Sequence, residues 1–209
     1  MPSTRIPLLL AAALFGAALV VIVGSTTPAQ AATTEPPFDM HFPQELAATD
    51  WDSTFGAARS GGRSHRGNDL MAPKMTHVYA AATGVVVTVA DGPTSGRYLT
   101  IEHADGWSTS YMHLNNDDPG TDNGRADWSL TLAPGVEEGA LVAAGQVIGY
   151  VGDSGNAEWT GSHTHFELRI NDRAIDPFDL LVEAWERDYE LVFGEPWRVA
   201  PQALLFVLG

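Results

Sequence analysis

The run His163-Thr164-His165-Phe166-Glu167-Leu168-Arg169-Ile170 alternates two kinds of side chain. His163, His165 and Glu167 share one parity, while Thr164, Phe166, Leu168 and Ile170 share the other. A period of two with one apolar set marks a strand that lays that set on a core. The two imidazoles then stand side by side on the opposite face, about 6.5 to 7 Å apart at the backbone from a rise of ~3.3 Å per residue.

Working outward, further runs rich in Val, Ile, Thr and Tyr share this character: Val78 to Val89 broken by Gly84, Tyr98 to His103, Trp107 to Leu114, and Val142 to Val151 broken by Gly145. Gly, Asp and Asn separate them, which predicts a mainly β fold built on an antiparallel sheet. Asp105-Gly106, after Ala104, supplies the turn chemistry of a hairpin. Only Pro177 to Phe193 has helical periodicity, with Leu180, Leu181, Ala184 and Trp185 on one stripe and Pro177 at a favoured first position. This short C-terminal helix is expected to pack across the sheet.

Acidic residues outnumber Lys and Arg by 26 to 11, for a formal charge of -15. Such a surface repels a phosphate backbone, so nucleic acid is excluded as a partner. Cysteine is absent, which removes thiolate metal sites, catalytic thiols, disulfides and a lipidated cysteine, and leaves any metal to His and carboxylate. Residues 1–31 carry one charge, Arg5, then the apolar run Ile6 to Val23 and the small-residue site Ala29-Gln30-Ala31, the three regions of an export signal. An uncleaved anchor is the competing reading, because the run reaches the lower limit for a membrane span. Cleavage would leave no stable span and a secreted or cell-envelope protein. The organisation expected is a signal peptide at 1–31, a linker at 32–41, the domain at 42–182, and at 183–209 the rest of the helix with an apolar tail, Ala203 to Leu208. Oligomeric state is not legible.

Three groups have spacing worth arguing from. His163 and His165 could decorate an exposed strand or hold a metal and touch its water. His65-Arg66-Gly67-Asn68-Asp69 is too long when extended for His65 and Asp69 to share an ion, about 13 Å. A bend at Gly67-Asn68, or helical spacing, converges them. Two imidazoles and a carboxylate form a known catalytic zinc set with a fourth position for water; an ordinary surface His-Asp pair is the alternative. In Tyr111-Met112-His113-Leu114, alternation puts Trp107, Thr109, Tyr111 and His113 on one face. A histidine at that strand end gains interest as a neighbour able to donate to a developing oxyanion.

These residues resemble the lysostaphin-like, LytM-type zinc endopeptidases, which cleave peptide bridges of bacterial peptidoglycan. That family carries a His-x-x-x-Asp motif, a Tyr-x-His-Leu segment and a His-x-His-Phe-Glu segment in the order found here. Phe55-Gly56, Arg59, Ala72-Pro73, Gly84 and Val86, and the stretch from Ala144 to Gly152 add framework. The resemblance implies a LytM-type domain in which His65, Asp69 and His165 bind one Zn2+ while His113 and His163 flank the water and the substrate carbonyl. His163 would take the water's proton and help protonate the leaving amine, and His113 would stabilise the tetrahedral intermediate. Peptidoglycan stems or cross-bridges are the implied partners, with glycine bridges and D-alanyl-diaminopimelate links both open. The competing class is a noncatalytic LytM-like protein that binds envelope partners and activates another hydrolase; such relatives lose ligands, whereas all five positions stand here.

Some features depart. Lys74-Met75-Thr76-His77-Val78 replaces a Gly-Thr-Pro-Val-like turn, and Thr164 replaces an apolar residue. The stretch between His113 and Val142 is long and is expected to line or lid the substrate groove; its carboxylates lack the order of a calcium loop and read as solvated. Gly152-Asp153-Ser154-Gly155 imitates a serine-protease nucleophile segment but lacks its context and reads as a turn. His103 is expected to hydrogen-bond structurally, and His41 to sit in the linker.

Overall fold

The alternating run becomes a strand near the middle of the largest sheet, with Thr164, Phe166 and Leu168 buried as expected. The computed structural model describes residues 35–194. The signal expected over 1–31 and the apolar tail at 203–208 lie outside them. In chain order the strands are β1 (Asp50–Trp51), β2 (Ala58–Arg59), β3 (Arg63–Ser64), β4 (Asn68–Met71), β5 (His77–Tyr79), β6 (Gly84–Gly92), β7 (Gly96–Glu102), β8 (Trp107–Leu114), β9 (Leu141–Val142), β10 (Val147–Tyr150), β11 (His163–Ile170) and β12 (Arg173–Ile175), followed by the helix α1 (Phe178–Phe193). Eight strands form one antiparallel sheet in the order β1-β4-β11-β8-β7-β6-β9, with β12 also on β11.

The two runs broken by glycine each become two strands, and the halves pair with each other. β6 takes β9 in the large sheet, whereas β5 takes β10 in a separate ladder. Gly84 lies so close to β7 that a Cβ there would come within 2.3 Å of the Glu102 carbonyl oxygen. The turn expected at Ala104-Asp105-Gly106 joins β7 to β8, with Asp105 and Gly106 at φ 55° and 78°. Strands of two to four residues, β4 among them, are too short to show alternation.

Phe166 meets Tyr111 edge-on at 5.5 Å, and Leu99, Ile101, Leu70 and Val86 continue the core around them. The helix lays Leu181, Ala184 and Trp185 on it, leaving Leu180 partly covered. Phe178 packs on Trp51 and Trp51 on Phe42, while the Phe42 N–H donates to the Asp188 carboxylate at 2.7 Å. Phe38 and Met40, in the stretch read as linker, also join this packing: Met40 is buried and Phe38 tilts against His103. His103 is structural as expected, its ring bonded to the Thr83 carbonyl and to Thr109.

Two expectations are overturned. Regular alternation would put His113 on the core face with Tyr111, but the pairing of β7 with β8 shifts register between Arg97–Leu114 and Leu99–Tyr111. One extra residue therefore bulges from β8. His113 takes φ 61°, its N–H donates to the Ser95 carbonyl, and its side chain turns into the cleft. The stretch after β8 neither lines nor lids that cleft: none of residues 115–141 is on its wall. Lys74 gathers Asp117, Asp122 and Asp153 at 2.6, 2.6 and 2.8 Å, and the Asn115 amide donates to the Asp117 and Leu130 carbonyls. This holds the loop elsewhere; of its carboxylates Asp117 is buried, while Asp122, Asp127, Glu137 and Glu138 are exposed as expected.

Candidate metal centre and catalytic cleft

His65 follows the tight β2–β3 hairpin, where its N–H donates to the Ala57 carbonyl and its carbonyl accepts from Gly56. The bend allowed by glycine is at Gly67, which presses onto β11 so closely that a Cβ would lie 2.1 Å from the Phe166 carbonyl oxygen. The chain then enters β4, where Asp69 is the register partner of His165. The spacing of His65 and Asp69 is thus resolved by a bend before a strand, not by a helix.

At the centre, His65 Nε2 lies 3.0 Å from Asp69 Oδ1 and 2.7 Å from His165 Nδ1, and His165 Nδ1 lies 2.9 Å from the same oxygen. His163 Nε2 is 3.7 Å from it. The His113 ring sits 4.9 Å from that of His163 and 6.1 Å from that of His165. All five residues expected from the sequence therefore meet on one cleft of about 710 Å³.

The outer nitrogens decide what the inner ones can do. His65 Nδ1 donates to the Thr54 carbonyl, His113 Nδ1 to the Ser154 carbonyl, His163 Nδ1 to the Gly161 carbonyl, and His165 Nε2 to the Glu167 carboxylate. A carbonyl or carboxylate only accepts, so each neutral ring carries its proton outward and presents a lone pair inward. Two lone pairs 2.7 Å apart beside a carboxylate oxygen repel unless a cation lies among them. Two imidazoles and one carboxylate, each oriented from behind, fit Zn2+ with an open fourth position.

A proton is the rival cation. Burial opposes charge on His165, but the Asp69 and Glu167 carboxylates outweigh it and raise its pKa. Burial likewise opposes charge on Asp69, and the surrounding His165, His65 and His163 rings prevail, holding its carboxyl well below the usual range. Arg59 takes its other oxygen at 2.6 Å. His113 differs: burial, then the charge of His163, pushes its pKa down to about 4. It is a neutral ring with an accepting Nε2 near pH 7.

Arg59 is visible in the sequence only as framework and Glu167 only as a motif residue sharing the histidine face, and their orienting contacts have no signal beyond parity and position. Ser154 is a clamp: its buried hydroxyl donates to the Leu114 carbonyl at 2.7 Å and accepts from the Arg97 N–H at 2.8 Å. Neither partner is a base, so Ser154 is not activated as a nucleophile; Gly152 bridges to His163 and the chain enters a short 3-10 element only at Gly155–Ala157.

Residues 63–125 and 126–177, more than half of the chain, match the model of Peptidase family M23. Peptidoglycan DD-endopeptidase ShyA of Vibrio cholerae is 34% identical over 112 residues, 54% of this chain and 22% of that protein. The chain thus spans under a quarter of that relative's length. Among solved structures, a zinc-containing peptidase from Vibrio cholerae superimposes with TM-score 0.53 at 29% identity, covering 66% of this chain and 39% of that one. The catalytic domain of lysostaphin from Staphylococcus simulans gives 0.51 at 26%, covering 66% and 95%.

Proposed function

Because the chain belongs to peptidase family M23, we propose that it is an exported zinc metalloendopeptidase that hydrolyses peptide stems or cross-bridges of bacterial peptidoglycan. The observation that carries this reading is the convergence of His65, Asp69 and His165 beside two further histidines whose Nε2 atoms make no hydrogen bond. Those three residues would hold Zn2+, which supplies Lewis acidity to polarise a carbonyl and acidify a water. His163 accepts the proton of the attacking water at Nε2 and returns it to the amine nitrogen as the C–N bond breaks. Its Nδ1 stays bonded to the Gly161 carbonyl, which keeps Nε2 aimed inward.

His113 is the partner imidazole on the other side. In the resting form its Nε2 accepts, so it orients the water; it donates to the oxyanion only after taking up a proton that burial resists. Its backbone is held in the left-handed region by the bulge, a strained placement of the kind that persists where surrounding structure over-determines it. Export rests on the charge, apolar run and small-residue site of residues 1–31.

The test is mass spectrometry of peptides released from purified peptidoglycan by the protein with zinc, after chelation, and after zinc is restored. New peptide ends should appear, vanish and return, and His163→Ala should release them at least about a hundredfold more slowly. Intact walls from several sources, with zinc bound and the domain folded, would favour a noncatalytic protein that activates another hydrolase.

A further inference from the structure

We propose that Arg63 and Arg66, on the cleft wall beside the metal centre, form a subsite for a free carboxylate of the substrate peptide, so that acidic stems are cut in preference to neutral glycine bridges. This rests on the peptidase reading and says which substrate class it takes. The chain has 11 basic residues against 26 acidic ones, yet four of its arginines, Arg59, Arg63, Arg66 and Arg169, line this one cleft. The two acids on the same wall are already engaged. Asp69 faces the histidines and Arg59, and Glu167 faces His165 and Arg169.

Arg63 and Arg66 have no carboxylate partner among the described residues; the contact of Arg63 is from Nε to the Ser60 carbonyl at 3.2 Å. Both side chains are exposed. Arg63 is also the cross-strand partner of Arg59 in the β2–β3 hairpin. Like charges directly opposite destabilise a two-stranded ladder, and Gly61 and Gly62, at φ 74° and 72°, close the turn that forces the pair together. Asp69 compensates Arg59, which leaves the charge of Arg63 open to an incoming anion. A guanidinium fork matches a carboxylate in two parallel hydrogen bonds, a selectivity that a glycine bridge offers nothing to satisfy. A phosphate-rich wall polymer is the less favoured anion, since the arginines stand inside the cleft that would receive the scissile bond.

The test uses two soluble cross-linked peptides with the same scissile bond, one with free carboxylates and one with them amidated. With zinc, kcat/KM should favour the acid peptide about tenfold to a hundredfold, as expected of charge-assisted hydrogen bonds, and less in high salt. Arg63→Gln with Arg66→Gln should bring the ratio near one, and the matching Lys pair should keep part of it. Arg173→Gln, on β12 away from the cleft wall, should leave it unchanged. No preference in the wild type, or a preference that survives in the double Gln variant, overturns the proposal, as does an equal loss on both peptides. Calorimetry with the same peptides separates the two readings. If neither is cut but the acid peptide binds tighter and that margin vanishes in the double variant, the subsite stands and the peptidase reading fails. If binding shows no margin either, the subsite fails too. Loss of binding to isolated wall phosphate polymer in the double variant, without a peptide preference, would assign the arginines to phosphate and also overturn it.

Discussion

Glu167→Gln is the most informative substitution at the metal centre, since it keeps size and removes charge. Glu167 accepts from His165 Nε2 at 3.1 Å on one oxygen and from Arg169 Nε at 2.8 Å on the other. Burial raises the pKa of this carboxyl, but His165 and Arg169 outweigh it and lower it, so it is an anion across the working range. A glutamine can still accept from His165, but its amide can also turn its NH2 to the ring. That would drive the ring proton to Nδ1, the atom 2.9 Å from Asp69 and 2.7 Å from His65 Nε2. Contacts behind a metal ligand contribute tenfold to a hundredfold in affinity, about 1.4 to 2.8 kcal/mol. Arg169 is partly exposed and can be solvated, so the accompanying loss of stability should be about 1 to 2 kcal/mol. Competition against a chromophoric chelator at fixed pH gives the zinc Kd, and thermal unfolding with and without zinc gives the stability. The expected result is a weaker Kd in a folded protein and a kcat largely recovered at saturating zinc. An unchanged Kd would refute the claim that this carboxylate sets the tautomer of His165.

His113→Ala and His163→Ala should each lower kcat by about 10²- to 10⁴-fold while leaving the zinc Kd within a few-fold, measured by the same competition. Zinc affinity should fall with acidification, because a proton on His165, whose pKa is raised, occupies the atom a metal needs; pH-dependent competition would check this. For stability without zinc, His113 has a folded pKa of about 4 against an ordinary 6.5. Its contribution is fully present above about 6.5 and is lost as pH falls from there through about 4, amounting to about 3 kcal/mol. His113→Gln should accordingly show a shallower loss than wild type over that window in urea unfolding. Gly67→Ala should cost about 1 to 3 kcal/mol or more, since its Cβ would displace β4 from Phe166, and zinc binding should weaken with it.

The alternation of 163–170 made both the sheet and the histidine face legible, because period two survives in a strand paired on both sides. The convergence of His65 with Asp69 was legible as a requirement, and Gly67 as its means. The face of His113 was not, because a bulge reverses alternation without changing residue type, and this one is fixed by the Ser95 carbonyl 18 residues earlier. Equally hidden was the path of the stretch after β8, whose anchor, Lys74, lies 43 residues before Asp117. The pairing of Arg59 with Arg63 was not legible either, because two-residue strands carry no period. Family likeness supplied the site residues, but not the atoms that orient them, since three of those are main-chain carbonyls.

That last fact bears on how the protein tolerates mutational drift. A point mutation cannot delete the carbonyls of Thr54, Ser154 and Gly161, so three imidazoles keep their orientation for as long as the backbone path beside them holds. Lining side chains that touch neither these rings nor Asp69, Arg63 and Arg66 among them, can then change which peptide is accepted without turning the imidazoles. His165 alone depends on a side chain, Glu167. Of the supports behind the four rings, only Glu167 can therefore be removed by a single side-chain substitution.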